Sequence, residues 1–125
     1  NDSKPDWVIS KVSSEIKNLS EKKPMGNIVV ACLGLAFKPN IDDLRESPAV
    51  YITQQLVATS RCEFIIVEPN LAERPIQIPS EVIFCDLDAA ILKADILVVL
   101  TNHFEFSDLA SSCHSSQIIL NFVDG

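Results

Sequence analysis

Five short segments of this 125-residue chain are apolar almost without interruption, and they constrain its fold more than any other feature. The segments are residues 28–33, 64–67, 82–84, 96–100 and 118–122. A strand with one solvated face alternates apolar and polar residues, whereas a strand covered on both faces is apolar throughout. These segments therefore predict a sheet that carries helices on both faces, as parallel sheets do.

Helical patterns separate the apolar segments. Residues 48–59 carry an apolar stripe behind Ser47, a good N-cap, and Pro48, a good first helical residue. A shorter pattern covers residues 87–93, and an amphipathic one, which Ser3 can cap, lies in residues 1–23. The alternation predicts a Rossmann-like, doubly wound α/β fold, with a parallel five-stranded sheet of order 3-2-1-4-5 after an N-terminal helix.

Charge and hydropathy exclude two classes of partner. The chain has 17 acidic and 10 basic side chains and a net charge of −7, so it lacks the positive field that attracts nucleic acid or an anionic membrane. None of its apolar runs approaches the roughly 20 residues that cross a bilayer. The start of the chain does not resemble a secretory signal, and we expect a cytoplasmic protein.

The cysteines and histidines give no sign of a metal site. Cys32, Cys62, Cys85 and Cys113 lie far apart, without the short spacing of a zinc knuckle, and are predicted to be reduced structural thiols. His103 and His114 are isolated in the sequence and are expected on the surface or in loops. Phe104 and Phe106 are expected to pack in the core.

The turn after the first strand is poor in glycine and rich in charge. A dinucleotide fingerprint needs three glycines, and this turn has only Gly34, so we expect neither NAD there nor ribose on Glu68. The charged residues of the turn are Lys38, Asp42, Asp43, Arg45 and Glu46. At the carboxyl edge of a parallel sheet they would suit a phosphate or carboxylate ligand. A solvated loop whose charges pair with one another is the alternative.

Residues 33–48, L-G-L-A-F-K-P-N-I-D-D-L-R-E-S-P, resemble the C-terminal, UDP-binding domain of the UDP-glucose/GDP-mannose dehydrogenase family. Residues 67–70, V-E-P-N, are similar to the family's next strand end, and the likeness extends over essentially the whole chain. The resemblance implies that residues 1–23 end a central connecting helix and that residues 24–125 form the UDP-sugar-binding domain. Among family members, the bacterial ones that oxidise UDP-N-acetyl-D-mannosamine have the motifs most similar to these.

The resemblance also implies roles for individual residues. Phe37 and Lys38 would bind the nucleotide sugar, and Arg45 would reach the NAD held by the N-terminal domain. Asp42, Asp43 and Glu46 would hold these cations in place. A substrate-binding Arg that the family carries after the last strand is absent, because the sequence ends at Gly125.

Activity would reside in a longer, homodimeric chain. The family oxidises the sugar C6 alcohol to a carboxylate in two NAD-dependent steps, on a catalytic Cys that no cysteine here matches. We therefore expect a fragment that is inactive alone, within an enzyme of cell-surface polysaccharide biosynthesis.

Two other interpretations remain open at this stage. The sugar nucleotide could be UDP-glucose, UDP-N-acetylglucosamine or GDP-mannose. Alternatively, the chain could be a non-catalytic regulatory α/β module in which Asp42 and Asp43 bind Mg²⁺ or accept a phosphoryl group. Receiver-like modules place a Lys after the fifth strand, and the last strand here carries none.

Overall fold

The computed structural model describes residues 3–35 and 47–123. The helices are α1 (Ser3–Leu19), α2 (Pro48–Thr59), α3 (Leu87–Lys93) and α4 (Leu109–Ser112). The strands are β1 (Val29–Leu33), β2 (Glu63–Val67), β3 (Ile83–Phe84), β4 (Ile96–Val99) and β5 (Ile118–Asn121). All pairings are parallel and the order is β3-β2-β1-β4-β5, which confirms the predicted architecture.

Alternate residues of the central strand enter two separate cores. Val30 and Cys32 pack in the core beneath α1 and α2, whereas Ala31 and Leu33 pack in the core beneath α3 and α4. Both faces of β1 are therefore dry, and this is why its sequence is apolar without alternation.

A carboxylate links three segments of the chain at the amino edge of the sheet. Asp95, which precedes β4, accepts a 2.8 Å hydrogen bond from the backbone N–H of Val29. Its two oxygens also lie 3.2 and 3.3 Å from the Lys23 ammonium, which follows α1. The contact fixes the connection between α1 and β1 against the start of β4.

The structure corrects several local predictions. Ser3 is the first residue of α1 and not its cap, and β3 has two residues where the sequence suggested three. Residues 109–112 form the short helix α4, although a loop was expected from residue 111 onward. Because only Leu109 of these four residues is buried, the apolar pattern that would have revealed the helix is missing.

The two phenylalanines after β4 behave differently. Phe106 is buried at 7% exposure, as predicted, whereas Phe104 is 88% exposed and the prediction that it packs in the core was wrong. Both lie in one 3₁₀ turn, Phe104–Phe106. With three residues per turn, positions two apart point in different directions, so the core receives only one of the rings.

Gly34 ends β1 with a backbone that only glycine adopts easily. Its φ is +97°, and a Cβ built there would lie 1.8 Å from Oγ1 of the buried Thr101. The backbone thus turns just after β1 in direct contact with Thr101, two residues beyond the end of β4.

Replacing Gly34 should therefore lower the free energy of unfolding for two separate reasons. We expect Gly34→Ala to lower the free energy of unfolding by about 2–4 kcal/mol, from the left-handed backbone and the overlap with Thr101. Urea denaturation followed by circular dichroism measures the change. Gly26→Ala is the matched control, because no heavy atom lies within 4 Å of its added Cβ. Equal destabilisation by the two substitutions would contradict this explanation.

Candidate functional site at the carboxyl edge of the sheet

A buried carboxylate joins the segments that follow three neighbouring strands. Glu68, which follows β2, is 3% exposed. Its Oε1 accepts a 2.7 Å hydrogen bond from the Leu35 N–H beyond β1, and its Oε2 accepts a 2.9 Å bond from the Asn70 N–H. Nε2 of His103, beyond β4, lies 3.2 Å from each oxygen. One side chain thus ties together the ends of β1, β2 and β4.

His103 is part of this cluster and not a surface residue. Its side chain is 9% exposed, and its ring packs edge-on against Phe106 with 5.4 Å between centroids. His103 lies in a loop, as predicted, but its side chain is not at the surface, whereas His114 is exposed as expected. The available signal was its place, four residues beyond the last residue of β4 at the ligand edge of the sheet.

Leu35 and Ser47, the described residues that flank segment 36–46, are hydrogen-bonded to each other. Leu35 is fully buried, and its carbonyl accepts a hydrogen bond from Ser47 Oγ. The same Oγ caps α2 by accepting a 3.4 Å bond from the Val50 N–H, which confirms the predicted N-cap. Glu68 therefore holds the N–H of Leu35 while Ser47 holds its C=O, so the points where the segment leaves and returns are fixed side by side.

The six predicted site residues all belong to that segment and lie outside the described residues. They are Phe37, Lys38, Asp42, Asp43, Arg45 and Glu46. Their roles remain predictions, and the flanking residues Leu35 and Ser47 lie at the carboxyl edge of the sheet.

Two clefts open at this edge in the described part of the chain. One has a volume of about 280 Å³ and lies between the start of α1, the N-terminus of α2 and the ends of β4 and β5, where Lys4, Ser47 and Thr101 line it. The other, of about 680 Å³, lies beyond β2 and β3, and its wall includes Glu68, Asp86 and Glu105. A diphosphate would be repelled by the second wall, whereas a lysine and a helix N-terminus favour it in the first.

Residues 3–35 and 47–123 contain no group of three or more His, Cys, Asp or Glu side chains that could hold a metal ion. Within the same residues, no helix is long and apolar enough to cross a membrane.

The cysteines are protonated thiols and not activated nucleophiles. All four are free. Burial raises the pKa of Cys32 to about 12, against a partly opposing hydrogen bond with Thr53. Burial also raises the pKa of each of the three half-buried thiols, Cys62, Cys85 and Cys113. Because the thiolate is the reactive form, none of them suits nucleophilic catalysis at neutral pH.

Cys32 should therefore be inert in the folded chain. At pH 8 we expect Cys32→Ala to leave unchanged the number of thiols that react rapidly with DTNB, because the Cys32 thiol is buried and protonated. In urea the variant should instead lose one of the four. Loss of a rapidly reacting thiol from the folded variant would contradict this assignment. So would a thiol in the folded wild type that reacts with DTNB faster than glutathione does.

The parallel sheet of order 3-2-1-4-5, with helices on both faces, defines a Rossmann-like domain of the kind that dehydrogenases use. The model of the UDP binding domain of the UDP-glucose/GDP-mannose dehydrogenase family matches residues 31–122. The chain therefore belongs to the UDP-glucose/GDP-mannose dehydrogenase family, as its resemblance predicted.

Individual relatives agree with this assignment. The UDP-N-acetyl-D-mannosamine dehydrogenase of Salmonella typhi is 43% identical over 108 residues, which are 85% of this chain and 26% of the relative. The NDP-N-acetyl-D-galactosaminuronic acid dehydrogenase of Ralstonia nicotianae is 36% identical over 121 residues, 97% of this chain and 27% of the relative.

A solved structure of the UDP-N-acetyl-mannosamine dehydrogenase of S. aureus superposes with a TM-score of 0.67 at 25% identity, over 97% of this chain and 31% of that one. The chain thus spans about a quarter of the length of the curated relatives it matches.

Proposed function

We propose that this chain is the C-terminal UDP-sugar-binding domain of a longer, NAD-dependent nucleotide-sugar 6-dehydrogenase. Residues 24–125 form the domain, and residues 1–23 end the helix that connects it to a central region. The observation that carries the proposal is the family match over residues 31–122, together with relatives about four times as long.

The names of the relatives favour UDP-N-acetyl-D-mannosamine as the substrate of the complete enzyme. At 43% identity, the relative from Salmonella typhi is named for this sugar nucleotide. The reaction oxidises the C6 alcohol to an aldehyde and then, with water, to the carboxylate of UDP-N-acetyl-D-mannosaminuronic acid. Each oxidation delivers one hydride to NAD, so one sugar yields two NADH.

NAD belongs to another part of the longer chain. In the described residues Glu68, which stands where dinucleotide-binding domains hold a ribose, directs its oxygens to the backbone N–H groups of Leu35 and Asn70. The turn beyond β1 also has a single glycine. When bound in the N-terminal domain, NAD supplies the hydride acceptor. This chain supplies one wall of the cleft, which orients the sugar and excludes water.

Charged and aromatic residues of segment 36–46 are assigned to that wall. Phe37 and Lys38 bind the nucleotide sugar, since an ammonium group suits a diphosphate or an anionic reacting end. Arg45 reaches the NAD side of the cleft. The three carboxylates that hold these cations in place are Asp42, Asp43 and Glu46.

Aromatic residues on α1 and α2 suit a contact with the rest of the enzyme. Trp7 is 52% exposed and Tyr51 is 42% exposed. Asp6 links the two helices by accepting a 3.3 Å hydrogen bond from the Tyr51 hydroxyl. We assign this surface to the central region of a homodimeric enzyme.

A related sugar nucleotide is the second candidate substrate, because the relative from Ralstonia nicotianae is named for a galactosaminuronic acid and is 36% identical. A regulatory module is disfavoured by membership of a dehydrogenase family.

Product stoichiometry tests the reaction. We expect the complete enzyme to form two NADH per UDP-N-acetyl-D-mannosamine and to act far more slowly on UDP-glucose, UDP-N-acetylglucosamine and GDP-mannose. Absorbance at 340 nm with a limiting amount of sugar measures this ratio. The isolated 125-residue chain should form none. Preference for another sugar would refute the substrate, and turnover by the isolated chain would refute the division of labour.

Substitutions in segment 36–46 test the assigned roles. We expect Lys38→Ala and Arg45→Ala to lower kcat/KM of the complete enzyme by about a hundredfold while the melting temperature stays within about 2 °C, because each removes a charge that acts on substrate or cofactor. The matched controls are Lys17→Ala and Arg61→Ala, at exposed positions away from the carboxyl edge. Undiminished turnover in the first pair, or an equal loss in the controls, would count against the roles.

A further inference from the structure

We propose that Glu68 is a positioning residue for the nucleotide-sugar site, on which it acts by holding Leu35 where segment 36–46 begins. The inference rests on the proposed function, and it adds a residue outside the predicted site.

The contacts of Glu68 converge on the start of the segment. Its shortest described hydrogen bond, 2.7 Å, is the one it accepts from the Leu35 N–H. Leu35 is itself fully buried and is held through its carbonyl by Ser47, where the segment ends. A displacement of Leu35 would therefore act on the segment that follows it in the chain, to which the proposed function assigns substrate binding.

The chemistry of the position requires a carboxylate. Oε1 accepts from Leu35 while Oε2 accepts from Asn70, and His103 faces both oxygens. A glutamine has the same shape but only one acceptor oxygen, so one of the two backbone N–H groups would meet an amide N–H. Burying a charged group costs free energy, and an apolar side chain would fill the space more cheaply. Two acceptor oxygens at this position are explained by the two backbone N–H groups that they place at the carboxyl edge.

Asp95 offers a matched control at the opposite edge of the same sheet. It also accepts a hydrogen bond from a backbone N–H, that of Val29 at the start of β1, and pairs with a cationic side chain, that of Lys23. Asp95→Asn thus removes the same kind of interaction from the same strand, but far from the carboxyl edge.

The experiment compares Glu68→Gln with Asp95→Asn in the complete enzyme, with steady-state kinetics and melting temperature measured for both. We expect Glu68→Gln to raise the KM for the UDP-sugar at least about fivefold, because the binding residues are displaced in the folded enzyme. Asp95→Asn should leave that KM within about twofold of the wild-type value, even if it lowers the melting temperature as much as Glu68→Gln does. Loss of stability alone would lower the active fraction, and hence the apparent kcat, without moving KM.

The outcomes separate the positioning role from the proposed function. A wild-type enzyme that oxidises no nucleotide sugar would overturn both. Wild-type turnover combined with an unchanged KM in Glu68→Gln, or with an equal rise in Asp95→Asn, would overturn the positioning role alone. If Glu68→Gln does not fold, Glu68→Asp takes its place with the same expected rise in KM, because it keeps both acceptor oxygens on a side chain one methylene too short.

Discussion

The hydrogen bond from the Leu35 N–H to the buried Glu68 carboxylate is the contact on which the ligand edge of this domain depends. It joins the end of β1 to the end of β2, and His103 extends the connection to the segment after β4. Gly34, immediately before Leu35, allows the turn that brings β1 against Thr101. The positions of Gly34 and Leu35 are therefore set by a backbone turn that glycine permits and by a hydrogen bond to a carboxylate 33 residues away.

The sheet provides the rigid base for this arrangement. β1 pairs on both sides, with β2 and with β4, and its side chains enter two dry cores. Because all five strands are parallel, their carboxyl ends share one edge, where a family-specific segment can face a ligand. The amino edge is closed by Asp95 and Lys23. The amino edge thus carries an ion pair, whereas the carboxyl edge is where we propose that the ligand binds.

The sequence predicted the architecture well because its signals are local. Uninterrupted apolar segments located the strands, and Ser47 with Pro48 marked the start of α2. The Glu68 cluster could not be predicted in this way, since residues 35, 68 and 103 meet only when the strands pair in register. Phe104 and α4 were missed because short turns expose one side of the chain without any periodic pattern. The roles of Phe37, Lys38 and Arg45 rest on resemblance to the family, because the physical pattern of the segment indicates only that it is rich in charge.

We propose that the carboxyl edge of this domain binds the UDP moiety, and titration of the ¹⁵N-labelled chain with UDP is the experiment that examines this binding. Because the proposed site takes about half of its contacts from other domains, we expect a dissociation constant in the millimolar range or weaker, roughly −4 kcal/mol. Chemical-shift changes should centre on Gly34, Leu35, Ser47 and Thr101, and Val29 and Asp95 should be unaffected. Inorganic phosphate at equal ionic strength controls for charge alone. Changes confined to the amino edge, or none at about 20 mM UDP, would contradict the claim.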